Sequence, residues 1–344
     1  MPNNSGTPAA SLSLGRLILR GLVFLFVLLT ILWAGAALWI DGPASRGLAG
    51  SLVGGLFLIA GLIAALVRPW WQAAGAMALL FVAVLTWWLN ISPSNDRDWE
   101  PQVARLPSAT LDGSRLTVRN VRSFRYRDLE DFTEEWVTRT YDLDELVGFD
   151  MFISYWGPTL YGHTIASWEF ADGQHLAISI ETRKETGETY SAITGFFRQF
   201  EVYYVVADEA DVVALRTNHR GERVQLYRTI ESTGAVDLLL DYIDEINALA
   251  EKPEWYNALT QNCTTTIWKH GKAIGSKRIP LDWRLMANGY LVDLGYEVGA
   301  VNNTIPLEEL KRRSDITERA RQVGDSEEFS AAIRVGLPSR PPAR

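Results

Sequence analysis

Three runs of about twenty residues without Asp, Glu, Lys or Arg constrain the fold of this 344-residue chain more than any other feature of its sequence. They cover residues 21–40, 47–67 and 70–89. A helix needs about 20 apolar residues to cross a hydrocarbon core of about 30 Å. A cleaved signal peptide has a shorter apolar stretch, of about 7–15 residues. The sequence therefore predicts that residues 1–92 are a membrane anchor with three transmembrane helices.

The charges beside these runs predict how the anchor is oriented. Arg16 and Arg20 precede the first run and Arg68 lies between the second and the third, whereas the loop 41–46 carries one charge of each sign. Cytoplasmic loops of membrane proteins carry an excess of Lys and Arg. We therefore expect the N-terminus in the cytoplasm and the chain after Asn90 on the other side of the membrane.

The two parts of the chain differ in charge, which excludes several classes of function. Residues 1–92 hold four arginines and one acidic residue, a net charge of +3, and the rest of the chain has a net charge of −11. Nucleic-acid binding needs clustered Lys and Arg, so no nucleic-acid partner is expected. The single cysteine excludes an internal disulfide and a Cys-rich zinc site. The sequence has no HExxH motif and no paired ligand spacing, so no metal and no cofactor are predicted.

The part of the chain after the anchor has the pattern of an α+β domain. Residues 93–105 are polar, contain two prolines and are predicted to be a linker. Residues 106–303 are predicted to form the domain, with an antiparallel sheet and helices packed against it. Residues 304–344 are charged and are expected to be an exposed helix with a frayed end. The segments with strand composition in the domain are 111–124, 149–155, 163–170, 174–183, 199–206, 212–215 and 224–229.

Two helices are predicted in the same domain. Between residues 236 and 251 apolar side chains recur at intervals of three and four, and the pattern stops before Pro253. A second helix is expected from about Cys263 to Ile274, ending before Gly275. The cysteine would then lie in the first turn of that helix.

This position makes Cys263 a candidate nucleophile. The positive end of the helix dipole and the unpaired amides of the first turn favour a thiolate. The same amides, with Gln261 or Asn262 as a side-chain donor, would be placed to bind an oxyanion. The alternative is a buried cysteine that only fills space. Outside the cytoplasm an unpaired cysteine is exposed to oxidation, which favours a thiol kept for its reactivity.

A cysteine nucleophile needs a base, and the chain has four histidines. His163 opens a predicted strand, where a rigid scaffold can hold an imidazole. His175 lies on the return strand, and His219 lies in a polar turn. His270 is two helical turns from Cys263, too far away to take its proton. His163 is therefore the predicted base.

The turn between these two strands determines which residue faces His163. A three-residue loop at 171–173, with its glycine in the left-handed conformation, would place Glu181 opposite His163. Residues directly opposite each other on antiparallel strands have Cβ atoms about 5 Å apart, so Glu181 would orient the imidazole. A two-residue loop would place Thr182 there instead. His175 is the alternative orienting residue, although this register puts it about 20 Å along the strand from His163.

A histidine on one strand, a carboxylate on the next and a cysteine at the start of a helix match the requirements of cysteine-dependent acyl transfer. Two other functions remain open. One is a cell-wall peptidase or amidase of the NlpC type, whose anionic peptide substrate finds no obvious basic groove in this acidic domain. The other is a non-catalytic domain that binds an envelope protein and in which the thiol is incidental.

Several blocks of the sequence, in order, resemble the Lnb N-terminal periplasmic domain family over roughly residues 117–303. Together with the Asn-Cys pair that opens the second helix, they are similar to the circularly permuted papain-like group. That group includes the lecithin:retinol acyltransferase family and permuted NlpC-type enzymes. The blocks are residues 162–164, 176–185, 197–208, 215–218, 253–257 and 262–265.

The resemblance implies a permuted papain-like fold with Cys263 as nucleophile and His163 as base. It also implies a lipoprotein N-acyltransferase activity. A phospholipid would supply the acyl chain, and the α-amine of a lipoprotein's diacylglyceryl-modified N-terminal cysteine would accept it by way of a Cys263 thioester. The chain would be a multi-pass protein of the bacterial inner (cytoplasmic) membrane, with residues 106–303 in the periplasm.

Overall fold

The computed structural model describes residues 14–191, 193–258, 263–273, 282–324 and 326–341. The chain divides into two units, Met1–Ser92 and Pro93–Arg344. Three apolar helices form the first unit, and the second combines an antiparallel-rich sheet with packed helices. The α+β class predicted from the sequence is therefore confirmed.

Each helix of the first unit is long and apolar enough to cross a membrane. The helices are α1 (Leu14–Ile40), α2 (Arg46–Leu66) and α3 (Trp70–Leu89). They agree with the predicted runs, except that α1 begins seven residues earlier and α2 is shifted by one residue. Small residues allow α1 and α2 to approach, since a Cβ atom on Gly35 would lie 2.9 Å from the ring of Phe57.

Ten strands are assigned in the described part of the second unit. They are β1 (Ser108–Asp112), β2 (Arg115–Arg122), β3 (Arg125–Tyr126), β4 (Phe132–Thr133), β5 (Trp136–Asp142), β6 (Leu146–Tyr155), β7 (His163–Phe170), β8 (His175–Arg183), β9 (Glu201–Ala207) and β10 (Arg223–Glu231). The main sheet has the order β1-β2-β9-β8-β7-β6-β10, and β5 also pairs with β2. Its pairings are antiparallel apart from a short parallel contact between β2 and β9.

The β7–β8 hairpin has the predicted three-residue turn. Gly173 has φ +89°, a left-handed conformation that glycine adopts without strain. Ile165 pairs with Ser179, and each further step along the strands continues this register to the turn. Extended by two residues, this register leads to His163 and Glu181, and Glu181 Oε1 lies 3.1 Å from His163 Nε2, as the predicted pairing requires.

Helices cover the sheet, and both of its faces are buried. Trp168 and Tyr204 lie in one group of buried residues with the apolar side of α5, whereas Ile165 and Val205 lie in a second group on the other face. Successive side chains of a strand point to opposite faces, so strands buried on both sides are almost continuously apolar. The helices are α4 (Glu209–Ala214), α5 (Ser232–Glu251), α6 (Cys263–Ala273), α7 (Leu291–Glu297), α8 (Leu307–Arg313), α9 (Thr317–Val323) and α10 (Phe329–Arg334).

The strand predicted at residues 212–215 is wrong, because this segment lies in and just after helix α4. Asp208 stands at the N-cap position, and Glu209 and Asp211 lie in the first turn. Acidic residues at the start of a helix interact favourably with its dipole. The apolar residues that follow predict a strand wrongly because a short buried run has the same composition in a strand and in a helix.

The segment predicted to be a linker packs onto the sheet. Trp99 and Val103 are buried, and the Arg183 guanidinium of β8 lies 4.2 Å from the centre of the Trp99 ring. The Arg183 side chain also donates hydrogen bonds to the carbonyls of Val103 and Ala104, both at 3.0 Å. Residues 93–105 are therefore held by a buried arginine rather than extended into solvent.

Residues 304–344, expected to be an exposed helix and a frayed end, also differ from the prediction. The described part of this segment forms α8, α9 and α10, and Phe329 is buried against the sheet. Arg334 contacts the buried carboxylates of Glu209 at 2.7 Å and Asp150 at 2.9 Å. A buried carboxylate needs a cation to offset its loss of hydration, and the arginines of this segment supply it.

Candidate active site

The candidate site lies where β7 begins and β8 approaches its end. His163 is the first residue of β7, and 8% of its surface is exposed. Gly162 precedes it, and its backbone N–H donates to Asn288 Oδ1 at 2.7 Å. A Cβ atom on Gly162 would lie 2.8 Å from the Ile153 side chain. The glycine therefore allows the chain to pass close to β6 just before the histidine.

Hydrogen bonds to Nε2 determine the tautomer of His163. Ser179 Oγ lies 2.7 Å from Nε2 and donates its own proton to Glu181 Oε1, also at 2.7 Å. A hydroxyl has one proton to give, so Nε2 must be the donor in its contact with Ser179. Glu181 Oε1 is itself 3.1 Å from Nε2. The Nε2–H proton is thus held by Ser179 and Glu181, and Nδ1 is the basic nitrogen of the neutral ring.

A buried arginine holds the Glu181 carboxylate in place. Arg216 Nη2 contacts Glu181 Oε1 at 2.7 Å, and its Nη1 contacts Glu222 Oε2 at 3.1 Å. Ser154 donates a hydrogen bond to the same Glu222 carboxylate. Arg216 and Glu222 are buried, whereas Glu181 retains 27% of its side-chain exposure. Negative and positive side chains therefore alternate with distance from the imidazole, so the net charge of the network stays small.

This environment keeps Glu181 ionised. Burial alone would raise the pKa of its carboxyl group, but the nearby His163 and the Arg216 guanidinium outweigh burial and hold the pKa well below its usual value. A carboxylate beside an imidazole stabilises the imidazolium form. Glu181 can thus both orient His163 and favour the charged state that forms when the ring takes a proton.

The predicted nucleophile begins a helix that packs against these strands. Helix α6 starts at Cys263 and packs against β7 and β8, which carry His163 and Glu181. The helix predicted in this segment is therefore confirmed over Cys263–Ala273. The Cys263 thiol, Gln261 and Asn262 lie outside the described residues, so their roles as nucleophile and oxyanion donors stay predictions.

The other three histidines lie away from this network. His175 is at the turn end of the hairpin, with Nδ1 3.0 Å from the Gly173 carbonyl, so the structure does not bring it to His163. His219 lies near the Tyr126 ring, with the ring centres 5.9 Å apart. His270 is buried between Asp241 and the Tyr204 hydroxyl. Burial lowers the pKa of His270 more than Asp241 raises it.

Sequence reasoning missed the polar residues that surround His163 and Glu181 in this network. Ser179 lies two residues before Glu181 on β8 and therefore points to the same face, a signal that the sequence did contain. Arg216 and Glu222 come from the chain between α4 and β10, and no local pattern connects them with the hairpin. Within the described ranges, no group of three His, Cys, Asp or Glu residues is arranged to hold a metal ion.

Comparison with known protein families gives one match, and it lies within the second unit. Residues 132–289 match the family model described as the Lnb N-terminal periplasmic domain, and this range includes the whole His163 network and Cys263. No curated protein and no solved structure matches the chain. The match agrees with the family suspected from the sequence, and together with the three apolar helices it indicates a membrane protein with a periplasmic domain.

Proposed function

We propose that this protein is a membrane-anchored cysteine acyltransferase that moves an acyl chain from a phospholipid to the N-terminal amine of a lipoprotein. The observation that carries the proposal is the buried imidazole of His163, whose Nε2–H is held by Ser179 and the ionised Glu181. Helix α6, which starts at Cys263, packs against the strands that hold this imidazole. The family match supports the periplasmic side of the membrane.

In the first half-reaction His163 activates the cysteine. Nδ1 takes the proton of the Cys263 thiol, and the thiolate attacks the ester carbonyl carbon of the phospholipid. A C–S bond forms and the ester C–O bond breaks. The departing alkoxide takes the proton from Nδ1 and leaves as a lysophospholipid. The acyl chain remains on Cys263 as a thioester, and the imidazole is neutral again.

In the second half-reaction the lipoprotein amine attacks the thioester. The amine nitrogen forms a C–N bond with the carbonyl carbon and gives a proton to Nδ1 of His163. The C–S bond breaks, and the departing thiolate of Cys263 recovers that proton. The products are an N-acylated lipoprotein and the starting enzyme. Because His163 is protonated in the middle of both half-reactions, the Glu181 carboxylate assists each of them.

The experiment that tests the proposal follows both products. Full-length protein in detergent is incubated with phospholipid and a diacylglyceryl-cysteinyl lipopeptide. We expect lysophospholipid and N-acylated lipopeptide to form in equal amounts. The matched control is the same lipopeptide with an acetylated N-terminus, which should support only the single turnover that loads the enzyme. Cleavage of cell-wall peptides without lysophospholipid would indicate the peptidase, and neither product would indicate a binding domain.

Replacing the orienting carboxylate should slow the reaction without stopping it. We expect Glu181→Ala to lower the rate of acyl transfer by about 10²-fold, since a positioned acid–base group contributes about 10²–10⁴-fold. The rate is measured from lysophospholipid release under single-turnover conditions. Asp112→Ala, at an exposed position on β1, is the control and should leave the rate unchanged. An unchanged rate in Glu181→Ala would show that Glu181 does not orient the base.

The charge of Arg216 should affect the pKa of the His163 imidazole. This positive charge disfavours the imidazolium form of His163, so Arg216→Gln should raise the imidazole pKa. We expect the acidic limb of the kcat/KM profile to move to higher pH in this variant. Arg216→Lys keeps the charge and should leave the limb in place, which separates the effect from general damage. A limb that moves equally in both variants, or in neither, would contradict this role.

A further inference from the structure

A cleft opens between the three helices of the first unit. Its volume is about 560 Å³, and its walls come from α1, α2 and α3, with Phe24, Phe57 and Met77 among the apolar side chains that line it. Binding sites for small ligands have volumes of about 300–1,000 Å³. The walls belong to helices that can cross a membrane, so lipid chains, rather than water-soluble molecules, reach this space.

Two arginines line one end of the cleft. Arg20 lies in the second turn of α1, and Arg68 lies two residues before α3. The Arg20 guanidinium stands over the Trp70 ring at 5.5 Å. Arg68 Nη1 donates to the carbonyls of Ala64 at 3.1 Å and Val67 at 3.3 Å. A guanidinium has five N–H donors, so most of those on Arg68 do not take part in these two bonds.

The charge at this end has no carboxylate in the anchor to offset it. Asp41 is the single acidic residue in the sequence of residues 1–92. It follows the C-terminal end of α1, at the opposite end of the helices, and its Oδ2 accepts a hydrogen bond from Trp88 Nε1 at 2.6 Å. The apolar cleft therefore ends in a pair of cations that an anionic group from the membrane would complement.

We propose that this cleft is a binding site for an anionic phospholipid. The phosphate contacts the guanidinium groups of Arg20 and Arg68, and an acyl chain lies between the helices along the apolar walls. The positive-inside bias places this end of the helices at the cytoplasmic leaflet. Basic pockets between transmembrane helices on that side suit anionic headgroups. The site is independent of the acyl transfer proposed above, because no residue of the His163 network belongs to it.

The arginines, and not the apolar walls, should determine which lipid binds. Lipid tails are as apolar as the side chains that line the cleft, so contact with the walls does not distinguish one phospholipid from another. Phosphatidylglycerol carries a net negative charge, whereas phosphatidylethanolamine has an ammonium group that repels the arginines. Preference for phosphatidylglycerol is therefore the property to measure.

Native mass spectrometry of the full-length protein in detergent tests the headgroup contact. With equal amounts of the two lipids, we expect the wild type to retain phosphatidylglycerol about tenfold better than phosphatidylethanolamine. The double variant Arg20→Gln/Arg68→Gln should lose this preference. The matched control Arg16→Gln/Arg46→Gln removes the same charge from residues outside the cleft and should keep it. Equal retention of both lipids by the wild type, or loss of the preference in both double variants, would overturn the proposal.

A glycine in the wall allows the chain contact to be tested without a change of charge. Gly61 lines the cleft, and a Cβ atom there would meet nothing within 4 Å, so Gly61→Leu fills the cleft without a backbone clash. We expect this variant to retain much less phosphatidylglycerol than the wild type. Gly54→Leu is the control, because Gly54 also has open space around it but lies outside the cleft. Undiminished binding by Gly61→Leu would show that the lipid does not occupy the cleft.

Discussion

Wild-type protein incubated with phospholipid is expected to gain the mass of one acyl chain, and the Cys263→Ser variant is expected to gain none. The physical reason is that the chain has one cysteine, which the proposed reaction acylates before any acceptor arrives. A serine hydroxyl has a far higher pKa than a thiol, so His163 would not deprotonate it to a useful extent. Intact-mass spectrometry without a lipoprotein acceptor detects the adduct directly.

Two controls make this result specific. Hydroxylamine at neutral pH cleaves a thioester but spares an amide, so the added mass should disappear on treatment. A small thiol-reactive electrophile should label the wild type, which shows that Cys263 can be reached. If the electrophile labels the wild type and phospholipid leaves no adduct, Cys263 is not an acyl carrier, and the peptidase and the binding domain become the better explanations.

Loss of the base should have the second-largest effect. His163→Ala is expected to slow formation of the acyl adduct by about 10³–10⁴-fold, toward the upper end of what a positioned base contributes. The imidazole is needed twice in each cycle, and Ser179 and Glu181 would be left without the group they orient. The rate is measured by quenching the reaction at intervals and determining the fraction of acylated protein.

His175→Ala is the matched control for this experiment. Both histidines belong to the β7–β8 hairpin, but His175 lies at its turn end and contacts the Gly173 carbonyl rather than the network. We expect His175→Ala to form the adduct at the wild-type rate. If His175→Ala were as slow as His163→Ala, the loss would reflect damage to the hairpin or a role for His175, and the assignment of His163 as the base would fail.

The structure agrees with one prediction made from the sequence and contradicts another. The three-residue turn was one of two possible loops, and the observed register sets Glu181, not Thr182, opposite His163. The segment 212–215 has the composition of a strand but lies in α4 and in the first residue of the π-helical turn Leu215–His219 that follows it. A hairpin register follows from the geometry of a few adjacent residues, whereas a short apolar run is compatible with either a strand or a helix until its neighbours are known.

Local patterns in the sequence were sufficient for much of this protein. The length of the apolar runs is set by the thickness of a bilayer, and these runs determined the three helices of the anchor. The loop 171–173 was short enough for its glycine to determine the pairing of His163 with Glu181. In each case the structure depends on interactions within a few residues or a single helix. One stretch of sequence is therefore enough to predict it.

Tertiary structure alone decided which charges meet. Arg216 reaches Glu181 across 35 positions of the chain, and Arg334 reaches Glu209 across 125. Such pairs form because a buried carboxylate requires a cation, but any of the 33 basic residues satisfies that requirement chemically. Only the path of the backbone selects the partner. The sequence therefore determined the anchor and the hairpin that carries His163, and the fold determined which buried charges surround the imidazole.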